Sequence, residues 1–324
     1  LLPEDRCADA EAVAARYAIA ITPEMATLAA AEPAVAAQFV PSAAELRVLP
    51  QEREDPIGDA AHTPVRGIVH RYPDRVLLKL THVCPVYCRF CFRREMVGPG
   101  GHGALDDGDL DAALAYVAER EAIFEVIVTG GDPFILNARR IAGIGRRLAA
   151  IGHVKAVRWH TRVPVVQPAA ITPALIDALK AAGKATYVAL HANHAAEFTP
   201  DARAAVGRLV DAGIVMLSQS VLLRGVNDDA DTLEALMRAF VAMGVRPYYL
   251  HHGDLAPGTG HFRTTFEDGL RLIGELRRRL SGIALPAYVI DIPGGFGKVP
   301  VEWARREGAG WVIPDRNGRL HRYP

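Results

Sequence analysis

The chain has 324 residues, half of them hydrophobic, which is enough to bury one large core or two ordinary ones. Lys plus Arg and Asp plus Glu balance at 37 each, which excludes a general field drawing the protein to nucleic acid or an anionic membrane and favours a small-molecule substrate. The apolar stretches are broken by charge before the roughly 18 to 20 residues of a bilayer span, and the first residues (LLPEDRCADAE) lack a signal pattern, so no membrane role and a cytoplasmic location are expected.

Residues 1 to about 65 are rich in Ala, Glu and Pro, with helical patterning around 10–20 and 42–48 and no strand signal, and read as a helical N-terminal extension. The texture then changes to short β-branched runs at 76–81, 125–130, 156–160, 185–191, 214–220 and 246–252. Helix candidates with caps and C-terminal glycines lie at 109–121, 138–151, 173–182, 201–212, 229–243 and 266–280. Six βα units in one register predict an α/β fold with a parallel sheet over 66–292, in the form of a partial (β/α)6 TIM-like barrel. An open doubly wound sheet is the alternative from pattern alone. Residues 293–324 form a C-terminal segment. In either fold the chemistry belongs at the C-terminal ends of the strands, where the βα loops converge.

Cys84, Cys88 and Cys91 follow the first of these strands, with three and then two residues between them, while Cys7 is remote and reads as a spare thiol. Three thiolates suit a 4Fe-4S cubane because they hold three irons and leave the fourth open to an outside ligand. A zinc site completed by His82 or His102 is the competing reading, although zinc favours two separated ligand pairs. TGGDP (129–133) ends the second strand and by itself is an ordinary glycine turn. Near the C-terminus, YVIDIPGGFGKVP places Lys298 after Gly294, Gly295 and Gly297; a phosphate loop would need Gly at Ile292 and Ser or Thr at Val299, so this is not a Walker motif. A lysine in such a loop suits a Schiff base, and a surface lysine on a turn is the bland alternative. The run Arg277, Arg278, Arg279 reads as a solvated helix face.

Together these residues resemble the radical S-adenosylmethionine (SAM) superfamily and, within it, the lysine 2,3-aminomutase family. The likeness runs from about Gln38 to about Pro300. It includes CxxxCxxC, TGGDP, HRYPDRVLL (70–78), CRFCFRR (88–94), QSVLLRGVND (219–228), RPYYLHHGDL (246–255), GHFRT (260–264) and IDIPGGFGK against the family's DxPGGGGK. The resemblance implies that Cys84, Cys88 and Cys91 hold a 4Fe-4S cluster binding SAM, with Gly130, Gly131 and Asp132 in the motif for the methionine ammonium. It assigns Lys298 to the internal aldimine with pyridoxal phosphate, and Arg71, Tyr72 and Arg75 to the stretch around the cofactor phosphate. His191 and Gln219 match residues between the two cofactors, though a strand-end His or Gln often only satisfies loop backbone.

For the substrate, the resemblance gives Arg93 the carboxylate and Asp254 and Asp291 the distal ammonium of L-lysine. Each aspartate could instead be a cap or an ion-pair partner. Two acidic groups in one pocket repel unless a cation joins them, so the pair selects a positive tail, and a glutamate-specific relative would need neutral or basic groups there. The implied reaction is an isomerisation moving nitrogen from C2 to C3 to give β-lysine. An electron donor such as flavodoxin or ferredoxin is the expected partner, and a homodimer is possible. An aminomutase acting on glutamate or arginine, or a noncatalytic metal-binding module, are the rival readings. Glu95 stands where the family often has a third arginine. No cysteine follows Cys91, so the structural zinc of longer members is not expected. The short form resembles bacterial relatives that make (R)-β-lysine for elongation factor P.

Overall fold

The computed structural model describes residues 7–98 and 103–324. Three short helices open it, α1 (Cys7–Ala14), α2 (Pro23–Ala31) and α3 (Pro33–Phe39). The helical patterning over 10–20 stops early, and a new helix begins where Pro23 holds Thr22 extended and the Thr22 hydroxyl accepts from the Met25 N–H. The segment 42–48 yields only a 3-10 turn at Ala43–Leu46, closed by a reciprocal capping box between Ser42 and Glu45.

A hairpin of β1 (Ile68–Tyr72) and β2 (Arg75–Thr81) starts the main sheet, followed by α4 (Asp107–Ala118), β3 (Glu125–Gly130), α5 (Ala138–Ala149), β4 (Ala156–Thr161) and α6 (Val163–Val166). Then come α7 (Pro173–Lys180), β5 (Ala185–His191), α8 (Pro200–Asp211), β6 (Val215–Val221), α9 (Ala230–Ala242), β7 (Arg246–His251), α10 (Phe266–Arg279), β8 (Ala287–Ile292) and β9 (Gly297–Pro300). The strands pair in chain order, parallel from β2 to β8, with β1 and β9 as antiparallel edges. A doubly wound sheet would reverse strand order at a switch point, and this one does not. The two edges also approach each other, since the Lys298 backbone N–H on β9 donates to the Tyr72 hydroxyl on β1 at 2.6 Å. The expected six βα units are present, and β8 adds a seventh parallel strand.

Side-chain alternation sorts each strand between two environments. Val126 and Val128 on β3, Val157 and Trp159 on β4, Val188 and Leu190 on β5, and Ile290 and Ile292 on β8 belong to the core. Their neighbours in the other parity, Ile127, Thr129, Arg158, His160, Ala189, His191 and Asp291, line an interior cavity. Helix starts are fixed by Asp106, Asn137, Thr172, Thr199, Asp229 and Thr265, each accepting a first-turn backbone N–H. Three further strands, β10 (Arg305–Glu307), β11 (Gly310–Pro314) and β12 (Leu320–Tyr323), make a small antiparallel sheet. It docks on α10 through Phe266, whose ring lies against those of Tyr323 and Trp311. Among the described residues no helix is long and apolar enough to cross a membrane.

Candidate active site

Every site residue singled out in the sequence, from Cys84 in the β2–α4 connection to Lys298 on β9, lines one cavity of about 330 Å³. Strand parity explains this for the strand residues. His191 and Gln219 are register partners on β5 and β6, and Asp291 and Lys298 are register partners on β8 and β9, so each pair faces the same side.

The cysteine loop is gripped from outside the barrel. Glu45 lies fully buried and takes Arg89 through Nε at 3.0 Å and Nη2 at 2.6 Å, and also takes Arg94. Burial opposes its charge, yet the hydrogen bonds and charges of the two arginines hold its carboxyl below the usual range. The Arg89 N–H donates to the Gln38 carbonyl and the Tyr87 N–H to the Ala20 carbonyl, so the N-terminal helices shape the loop. Burial, together with nearby carboxylate and thiol charge, pushes the Cys84 thiol up, and burial pushes Cys91 to about 11. His82 is not among the residues lining the cavity that the three cysteines line, and His102 lies outside the described residues. The three sulfurs open on the shared cavity, a donor set that fits a cluster with one open iron.

Beside them, β3 turns through Gly130 and Gly131 with no room for side chains. A Cβ on Gly131 would meet the Val83 carbonyl oxygen at 2.2 Å, and Gly130 has φ +119°. Backbone can therefore approach a ligand closely here. The Asp132 carboxylate accepts from the Thr161 hydroxyl (2.8 Å), the Arg162 N–H (2.7 Å) and the Phe134 N–H (3.0 Å). Its oxygens are occupied by protein, so Asp132 braces this corner against the end of β4.

At the opposite wall, the Lys298 ammonium donates to Asp291 and lies 3.2 Å from His251 Nδ1, while His251 Nε2 lies 3.1 Å from the Gln219 amide nitrogen. Burial and the Lys298 charge hold the His251 pKa well below the usual range, which leaves that ring neutral. The turn carrying Lys298 packs on Gly58, and a Cβ on Gly295, where φ is +92°, would meet the His62 ring at 2.8 Å. Asp254 lies in the same region with its carboxyl pushed up to about 7, first by burial and then by the charge of Asp291. On the remaining side, buried Asp59 gathers three cations. Arg93 donates to it through Nε and Nη2 at 3.2 Å each, Arg71 through Nη2 at 3.1 Å, and Lys79 stands at 3.7 Å. The Arg75 guanidinium stacks 3.8 Å over the Tyr72 ring. His191 stacks on Phe90, and its buried Nε2 has no hydrogen-bond partner among the described residues. An orphaned ring nitrogen, a lysine, and a cluster of arginines around one cavity fit an anionic, ring-bearing cofactor.

Asp59, His251 and Arg162 are site residues not singled out in the sequence. His251 stands inside RPYYLHHGDL and Arg162 one residue past the end of β4, so strand-end position was the available signal for both. Asp59 sits in an irregular stretch with no local signal; only its distant partners reveal it.

A model of the radical SAM superfamily matches residues 78–237. The chain is 40% identical over 264 residues to an L-lysine 2,3-aminomutase of Fusobacterium nucleatum, covering 82% of this chain and 62% of that one. It is 37% identical to a putative L-lysine 2,3-aminomutase of Aquifex aeolicus, covering 88% and 78%, and 36% identical to a glutamate 2,3-aminomutase of Clostridioides difficile, covering 78% and 59%. The chain spans about three fifths of the length of the first of these relatives.

Proposed function

The chain belongs to the lysine 2,3-aminomutase family of the radical SAM superfamily, and from that premise we propose that it moves the 2-amino group of L-lysine to C3, giving β-lysine, with a 4Fe-4S cluster, SAM and pyridoxal phosphate as cofactors. The observation that carries the reading is the pair Asp254 and Asp291 in one buried cavity with Arg93, so that two carboxyl groups and a cation face the same space. A substrate with a carboxylate at one end and an ammonium at the other complements them. A glutamate side chain would bring a further anion to the aspartates, and the repulsion that already raises Asp254 would grow.

When bound, the cluster with SAM supplies the radical that takes hydrogen from the substrate, and pyridoxal phosphate supplies the conjugated ring across which nitrogen migrates. The protein holds and orients. Arg93, fixed on Asp59 through Nε and Nη2, presents its guanidinium to the substrate carboxylate. Asp254 and Asp291 take the distal ammonium. Arg71, Tyr72 and Arg75 on the β1–β2 hairpin would hold the cofactor phosphate, and Lys298 would hold the cofactor through its aldehyde. His251, held neutral by burial, lies 3.2 Å from the Lys298 amine at Nδ1 and helps position it in the cavity. Phe90 and His191 close the interior wall against water. A low-potential one-electron donor such as flavodoxin or ferredoxin would reduce the cluster to start the reaction, which itself consumes no electron.

The test is an anaerobic assay of protein reconstituted with iron, sulfide and pyridoxal phosphate, given SAM, a reductant and L-lysine, L-glutamate or L-arginine in turn. β-Lysine from lysine, with no β-amino acid from the other two, is expected. Turnover of glutamate or arginine without lysine would overturn the substrate assignment.

A further inference from the structure

We propose that Arg162 sets the reduction potential of the cluster held by Cys84, Cys88 and Cys91, by lending a fixed positive charge to the Cys88 sulfur. This rests on the cluster that family membership implies and is independent of which amino acid is the substrate.

Arg162 follows β4, and its side chain turns inward, buried, so that Nη1 lies 2.9 Å from Cys88 Sγ. The guanidinium cannot swing away. Nη2 donates to Glu197 at 2.6 Å and to the side-chain oxygen of Gln38, both fully buried, and its carbon sits 4.5 Å from the centre of the Phe39 ring and 5.6 Å from that of Phe90. Gln38 is itself held by the Asn193 amide at 3.0 Å, and Glu197 by the Asn193 N–H at 2.8 Å.

A purely structural ion pair with Glu197 would leave Nη1 to find a carbonyl or water, because a neutral thiol is a weak acceptor. A cysteine sulfur bound to iron carries negative charge and is a strong acceptor for a cationic donor. The arrangement is therefore suited to a loaded Cys88. Reduction adds one electron to the cluster, and a permanent cation in a poorly screened interior stabilises the reduced form more than the oxidised form. Glu197, on the other amine of the guanidinium, offsets part of that charge.

The experiment rebuilds the cluster anaerobically in wild-type protein, Arg162→Gln, Arg162→Lys and Glu197→Gln, measures iron per chain, and reads the midpoint potential by electron paramagnetic resonance during a dithionite titration without SAM. Arg162→Gln is expected to keep its iron and to reduce at a more negative potential, with Arg162→Lys recovering part of the shift. A wild-type potential in iron-replete Arg162→Gln overturns the proposal. Should that variant fail to fold or to hold iron, Glu197→Gln decides, because losing the countercharge must move the potential upward and an unchanged value overturns the proposal. Wild-type protein that binds no cluster would count against the cluster itself, a separate failure.

Discussion

Lys298 and the proposed substrate share a charge partner. Its ammonium donates to Asp291, the carboxylate assigned to the substrate's distal ammonium, so the two cations compete until the lysine amine is committed to the cofactor. Protein stripped of pyridoxal phosphate should therefore bind L-lysine more tightly as Lys298→Met than as wild type, by roughly tenfold for each 1.4 kcal/mol of competition removed. Isothermal titration calorimetry measures this, and equal affinities would count against the shared site. Asp254 makes a second prediction. Burial, and then Asp291, raise its carboxyl to about 7, whereas an unfolded Asp titrates near about 3.9. The folded state thus binds that proton more tightly, and stability contributed by the protonated form is lost as pH rises from about 4 to about 7. Asp254→Asn removes this dependence. Its Tm should exceed the wild-type Tm at pH 8 and match it near pH 4; a difference that does not vary with pH would refute the cause given.

At the scale of an element, the end of β3 is constrained more tightly than its TGGDP sequence suggests. The Gly131 N–H donates to the Thr81 carbonyl at 2.5 Å and the Asp132 N–H to the Val83 carbonyl at 3.0 Å, which ties the corner to the cysteine loop. In Gly131→Ala the new Cβ meets backbone on that loop at 2.2 Å, and backbone cannot rotate aside as a side chain could. We expect a loss of about 1 to 3 kcal/mol in urea unfolding and fewer irons retained after reconstitution. Gly143→Ala is the control, because it lies in α5 with open space around it and should be neutral or stabilising by up to about 1 kcal/mol. Equal behaviour of the two variants would show that the corner has slack. The β8–β9 hairpin is the other element with such a constraint. Its register sets Asp291 directly across from Lys298, so moving either strand by one residue would separate the pair.

Across the molecule, the parts legible in the sequence were those whose signal is local. The runs at 125–130 and 185–191 coincide with β3 and β5, since buried parallel strands are nearly continuous in β-branched and apolar residues. β1 was hidden because His70 and Arg71 break the apolar run of IVHRY, His70 turning to Tyr116 and Arg71 to the site, and β8 and β9 because glycines and prolines around them read as a loop. The motif residues were visible as loops after strands. The residues that hold them were not: Asp59 meets Arg93 34 positions away, and Gln38 meets Arg162 across 124. No window of sequence contains both members of such a pair.

That separation bears on the order in which the protein is assembled. The setting of Cys88 draws on α3, the end of β4 and the turn after β5, and these contacts cannot form until the chain has been made at least as far as Glu197. Contacts so distant along the chain form late, after the loops between them have closed. The three cysteines are therefore synthesised long before the contacts that set Cys88 can exist.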